Sequence, residues 1–122
     1  MGGGIVEGAA GSGDSRKPMK KFQGVIQGNM AGEFIRKDQV RVPPSEYALQ
    51  RAAMKCKGKC QVRFDCCNVT VKPKGSIDPT GYNCYLHKGK CGKLGDSEIE
   101  KLSKRGPDGI SFYKENIFCM GQ

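Results

Sequence analysis

The sequence predicts a small α+β domain, an antiparallel sheet with one or two short helices, stapled by disulfides. Three observations carry this. Apolar residues recur with period two in several short runs and at helical spacing in two others, in the order strands, helix, strands, helix, strands. The 122-residue chain has 37% hydrophobic residues, 18 Gly and no Trp, so the core it can build is thin. Seven cysteines, Cys56, Cys60, Cys66, Cys67, Cys84, Cys91 and Cys119, supply the staples that a thin core needs.

Residues 1–20, MGGGIVEGAAGSGDSRKPMK, hold only Ile5, Val6 and two Met as larger apolar groups, too few to offset the entropy of ordering. They are expected to form a flexible, Gly-rich basic tail ahead of a single cysteine-rich basic domain, 21–122. KFQGVIQ (Lys21–Gln27) reads as a short strand, with Gly24 marking a bulge or a close approach. GNMAG follows as a turn. EFIRKDQVRV (Glu33–Val42) reads as two extended pieces around Lys37–Asp38, with Val40 and Val42 alternating against Gln39 and Arg41.

PPSEYALQRAAMK (Pro43–Lys55) is the best helix. Pro43 sets an extended entry, Ser45 offers an N-cap, and Glu46 suits the first turn. Ala48, Leu49, Ala52 and Ala53 share one face, and Gly58 predicts a stop near Lys57. QVRFDCCNVTVK (Gln61–Lys72) is the best strand, but its phase changes. Val62, Phe64 and Cys66 form one alternating set, and Cys67, Val69 and Val71 form the next. A β-bulge at Cys66–Cys67 would reconcile them.

PKGSIDPTG (Pro73–Gly81) is a loop, and YNCYLH (Tyr82–His87) a strand with Tyr82, Cys84 and Leu86 on one side. KGKCGKLG turns. Ser97 and Glu100 make a capping box ahead of Ile99, Leu102 and Lys104, and Gly106–Pro107 ends that helix. PDG is a turn, and ISFYK and NIFCM are the last strands.

Charge is concentrated where the cysteines are. From Lys55 to Lys93, the cations Lys55, Lys57, Lys59, Arg63, Lys72, Lys74, Lys88, Lys90 and Lys93 face only Asp65 and Asp78. This segment is therefore the expected binding surface. Its partners would be anionic, such as nucleic acid, acidic lipid or sulfated glycan, or a protein target. Lysine outnumbers arginine 15 to 6, which favours general attraction over bidentate recognition. The aromatics Phe64, Tyr82, Tyr85, Phe112 and Tyr113 could stack on bases, but at strand spacing they read as core or cross-strand pairs.

The cysteine spacing separates two classes of protein. Zinc would use Cys56-x3-Cys60 with Cys84-x2-His87 or His87-x3-Cys91, on an intracellular nucleic-acid-binding module. No CxxC is present, and Cys66, Cys67 and Cys119 would be left over. Disulfides use more of the cysteines and imply an oxidising compartment. Adjacent Cys66 and Cys67 would point to opposite faces and bond different partners. The odd count leaves one thiol free or pairing between chains, so the chain is expected to be a monomer or a disulfide-linked dimer. Asn68-Val69-Thr70 is a glycosylation sequon.

No apolar run is long enough to span a bilayer, and the N-terminus has no signal-peptide core. Either the chain belongs to the cytoplasm or nucleus, or it is secreted with its signal peptide already removed and Met1–Gly4 as an added start; the second is the expectation. One histidine, His87, excludes two-His acid–base catalysis and leaves a ribonuclease-like hydrolase resting on that residue alone. No nucleotide-binding or calcium-loop motif occurs. The expectation is a small secreted binding protein of effector, toxin or defence type, with no catalytic residues, metal or cofactor.

Overall fold

The computed structural model describes residues 18–26, 32–88 and 96–114. Its elements are β1 (Met19–Phe22), β2 (Gly24–Ile26), β3 (Phe34–Arg41), α1 (Ala48–Gln61), β4 (Asn68–Pro73), β5 (Gly81–His87), α2 (Asp96–Leu102), β6 (Ser103–Arg105) and β7 (Ile110–Lys114). Five strands form an antiparallel sheet in the order β1-β7-β4-β5-β3. β2 and β6 form a second, two-stranded antiparallel sheet. The fold is α+β, as the alternation of periods predicts.

The larger sheet is covered on both sides. On one face α1 lays Ala48, Ala52, Ala53, Cys56 and Cys60 against Val40, Val69, Val71, Tyr82, Cys84, Leu86, Ile110 and Phe112. The small Ala side chains let the helix axis lie close to the sheet. On the other face, Phe22, Ile26, Cys67, Ile99 and Tyr113 form a second cluster under the small sheet and α2. Ser111 joins the two layers. Its hydroxyl donates to Gly24 O at 2.7 Å and accepts from Ile26 N at 3.3 Å. With its one proton so used, the Thr70 hydroxyl at 2.8 Å must donate to it.

Several elements differ from the sequence expectation, each for a local reason. Lys21–Gln27 is not one strand. The chain leaves the larger sheet at Phe22 and enters the smaller one at Gly24, whose φ of 143° suits glycine. A Cβ at Gly24 would collide with the Lys104 carbonyl and lie 2.7 Å from Arg105 Cα, so the expected close approach is real. β1 starts at Met19, inside the segment read as tail. β3 is one continuous strand, and its irregularity lies between Phe34 and Arg36 instead of at Lys37–Asp38.

α1 begins at Ala48 without a side-chain cap; Ser45 Oγ instead accepts from Tyr47 N in the preceding turn. The helix runs through Gly58 to Gln61. Cys56 and Cys60, one turn apart, are both buried and both bridged, and these anchors outweigh the glycine. The strand expected from Gln61 therefore starts at Asn68. Phe64, at 75% exposure, lies on a connecting turn outside the core.

No bulge forms at Cys66–Cys67; the phase change is the point where β4 begins. Cys66 packs in the helix-side core and Cys67 in the second, so the two do serve opposite layers. Cys67 does not share a side with Val69 and Val71 as their alternation suggested. Its N–H and C=O already bond His87 O at 3.0 Å and Lys114 N at 2.8 Å, which tie it to both neighbouring strands. The second helix stops at Leu102, and Ser103–Arg105 pairs with β2, where a longer helix up to Gly106 was expected. The turns GNMAG and KGKCGKLG fall largely outside the described residues, and NIFCM wholly so.

Candidate functional site

Two disulfides are formed among the described residues. Cys56–Cys84 ties α1 to the middle of β5. Cys60–Cys66 closes the turn after the helix. Cys67 is disulfide-bonded as well, and Cys91 and Cys119 lie outside the described residues. A disulfide sulfur is not a thiolate ligand, so Cys56, Cys60 and Cys84 do not assemble the zinc set with His87. The described residues contain no cluster of three His, Cys, Asp or Glu placed to hold a metal.

The nine basic residues read as one surface are divided by the fold. Lys55, Lys57 and Lys59 lie on α1. Arg63 is clamped by both Asp65 oxygens at 2.9 Å, which raises the guanidinium pKa and lowers that of the carboxyl. Lys74 meets Asp78 at 3.3 Å and Gln39 at 3.2 Å. Lys88 meets Glu33 at 3.5 Å. Lys72 is on the opposite sheet face, with its ammonium 5.8 Å from the Tyr85 ring centre. Lys90 and Lys93 lie outside the described residues.

Most cations on the β-hairpin side are thus already paired. Asp78 takes a bidentate contact from Arg41, with both bonds 2.8 Å, in addition to Lys74. The hydrogen bond from Arg41 is the main cause that holds the Asp78 carboxyl below the ordinary range.

α1 is different. Its 14 residues, ALQRAAMKCKGKCQ, carry Arg51, Lys55, Lys57 and Lys59 and no acid. Lys59 is 3.8 Å from Asp38, and Lys57 lies 5.4 Å from the Phe112 ring centre. Both contacts leave the ammonium at the helix flank. Tyr47, Arg51, Met54, Gly58 and Val62 recur at i, i+4, i+7, i+11 and i+15, a single stripe opposite the buried alanines. The stripe is helical at both ends, since Arg51 N bonds Tyr47 O at 2.9 Å and Val62 N bonds Gly58 O at 3.3 Å. Tyr47, Met54 and Val62 are 59%, 58% and 45% exposed. Beside the stripe, a shallow groove of about 490 Å³ between α1 and β3 is lined by Val40, Arg41, Lys55, Gly58, Lys59 and Val62.

Arg51 and the apolar stripe are absent from the sequence-based site. Charge counted over a contiguous window starts at Lys55 and misses Arg51, whereas counting along the helix face would have found it.

A larger cleft, about 610 Å³, lies between the two sheets and includes Lys72, Lys104, Arg105 and Asp108. Arg105 there is spent on an ion pair with Glu100 and on the Phe22 ring, 5.0 Å away.

The remaining sequence candidates resolve simply. Tyr82, Phe112 and Tyr113 are buried, so they are core and cannot stack on bases. His87 is half-buried edge-on to Phe34, with ring centres 5.4 Å apart. Burial lowers its pKa, opposed only by a backbone bond at Tyr85, with no carboxylate contributing. Asn68 of the sequon is fully buried in β4, where a glycan would displace the packing of the sheet. No family model, curated protein or solved structure matches the chain. No helix among the described residues is long and apolar enough to cross a membrane.

Proposed function

We propose that this is a small secreted, disulfide-stabilised binding protein of effector, toxin or defence type, which engages an anionic partner through the outer face of α1. The observation that carries the reading is the contrast in pairing. α1 holds four cations and no acid, and of these, among the described residues, Lys59 alone has a carboxylate within ion-pair distance, Asp38 at 3.8 Å, while Arg41, Arg63, Lys74 and Lys88 are each matched to one. Unmatched charge on a rigid element keeps its long-range field, whereas paired charge largely cancels. The rigidity comes from the bridges at Cys56 and Cys60, which pin the helix at two successive turns. The same bridges suit an oxidising compartment, which is the support for secretion.

The test is binding to heparin and to RNA at two salt concentrations, for the wild type, a Lys55→Glu/Lys59→Glu variant and a Lys74→Glu variant. Affinity should fall steeply with salt and with the α1 variant, and little with Lys74→Glu, whose lysine is already paired. Affinity that ignores salt, or that depends on Lys74 and not on Lys55 and Lys59, overturns the reading.

A further inference from the structure

We propose that the partner of α1 is an acidic phospholipid bilayer. The cationic groove beside the helix would take phosphate headgroups, and Tyr47, Met54 and Val62 would enter the headgroup–acyl boundary. This rests on the reading of α1 as an anion-binding face and adds the chemistry of the partner.

Charge alone does not distinguish a bilayer from other polyanions; the apolar stripe does. Three large apolar side chains, each 45–59% exposed, lie along the solvent side of α1 and its two caps, in one line with Arg51 and with the lysines beside them. A polyphosphate or glycan chain offers nothing to Met54 or Val62. A bilayer rewards both halves, because apolar groups leave water while the flanking lysines stay at the headgroups. The predominance of lysine fits point-charge attraction to a lipid surface, which needs no bidentate geometry.

The groove that borders the stripe supplies a second feature. Lys55 and Lys59, one turn apart, line it together with Val40, and Gly58 and Val62 of the stripe form its outer edge. Arg41 at its end is held by Asp78 and Thr80 and shapes the wall. Gly58 lies between the lysines, and a Cβ there would meet nothing within 4 Å. Among the described residues, no packing requirement explains a glycine in mid-helix. It does keep the helix surface low where a headgroup would sit, the use of glycine at a close ligand approach.

The experiment is flotation with two vesicle compositions, phosphatidylcholine alone and phosphatidylcholine with one-fifth phosphatidylserine, run beside heparin binding. The variants are Met54→Gln, Gly58→Leu and Lys55→Glu, each checked for an unchanged urea midpoint or corrected for it. The wild type should float only with the acidic vesicles. Met54→Gln should lower partitioning about fivefold, the transfer value of part of one apolar side chain, and leave heparin binding unchanged. Lys55→Glu should lower both, by about fivefold or more for one lost cation near the surface. Gly58→Leu fills the groove but adds apolar surface, and should still weaken acidic-vesicle binding.

Heparin binding that responds to Lys55→Glu, without flotation on acidic vesicles, overturns the bilayer proposal and leaves the anion-binding reading standing. Absence of both overturns both. Flotation indifferent to Met54→Gln, or stronger with Gly58→Leu, overturns the seating described here.

Discussion

The two bridges among the described residues should contribute unequally to stability, and the structure sets the ratio. Cys56 and Cys84 are 28 residues apart, and Cys60 and Cys66 are 6 apart. The short bridge lies inside the long loop and trims its free length to roughly 22 residues. Loop-closure entropy then assigns about 3.5 kcal/mol to the long bridge and about 2 kcal/mol to the short one. All four cysteines are fully buried, so replacing either pair by alanine removes two buried sulfurs and the cavity costs largely cancel in the comparison. The perturbation is therefore a pair of double variants, Cys56→Ala/Cys84→Ala and Cys60→Ala/Cys66→Ala. Equilibrium urea unfolding without reductant should place the first about 1–1.5 kcal/mol below the second. At the usual urea dependence this is a midpoint difference of about 0.5–1 M. The first variant should also show the larger m-value, because its unfolded chain expands more. Equal losses, or a larger loss from the short bridge, would refute the claim that these bridges act mainly on the unfolded chain.

Three further outcomes follow from local geometry. Gly58→Ala should stabilise the protein by about 0.5–1 kcal/mol in the same urea assay, because the helix gains propensity and the new methyl meets open space. Ser111→Ala should cost about 2 kcal/mol or more, since it leaves Ile26 N–H and Gly24 C=O without their shared buried partner; Ser111→Thr, which restores a hydroxyl, separates that loss from packing. The third concerns pH. Burial holds the His87 pKa below the ordinary histidine value, so the unfolded chain takes its proton first as pH falls. Stability from this group is complete above about pH 6.5 and declines as pH drops through the folded value. Thermal melts between pH 7.5 and 5 should fall for the wild type and flatten in His87→Gln. The Asp65 and Asp78 contributions are lost only lower, below about pH 4, because their folded pKa values are depressed; a slope that survives His87→Gln would assign the effect elsewhere.

Much of the fold was legible because local signals and tertiary demands agreed. Tyr82, Cys84 and Leu86 alternate and are buried together on β5; Ala48, Ala52 and Ala53 share a helical face and pack on the sheet. The failures occur where they disagree. Gly58 reads as a helix stop, but Cys56 on one side of it bridges to Cys84 on β5 and Cys60 on the other bridges to Cys66, and no spacing rule contains that energy. Gly24 reads as a strand irregularity, whereas it is the point of passage between two sheets. Helical-wheel reading would have recovered the outer stripe of α1. The pairing that neutralises Arg41, Arg63, Lys74 and Lys88 depends on the hairpin register and on turns, so charge counted along the chain overstates the basic surface.

The most direct test of α1 as the contact surface is an amide chemical-shift map during titration with inorganic polyphosphate. Shifts should concentrate between Arg51 and Val62, with smaller changes across the facing Val40–Arg41, and should collapse on raising the salt to 0.3 M, where the screening length is about 5–6 Å. Shifts centred instead on the Lys74–Thr80 loop, or on the cleft of Lys72 and Lys104, would contradict the assignment.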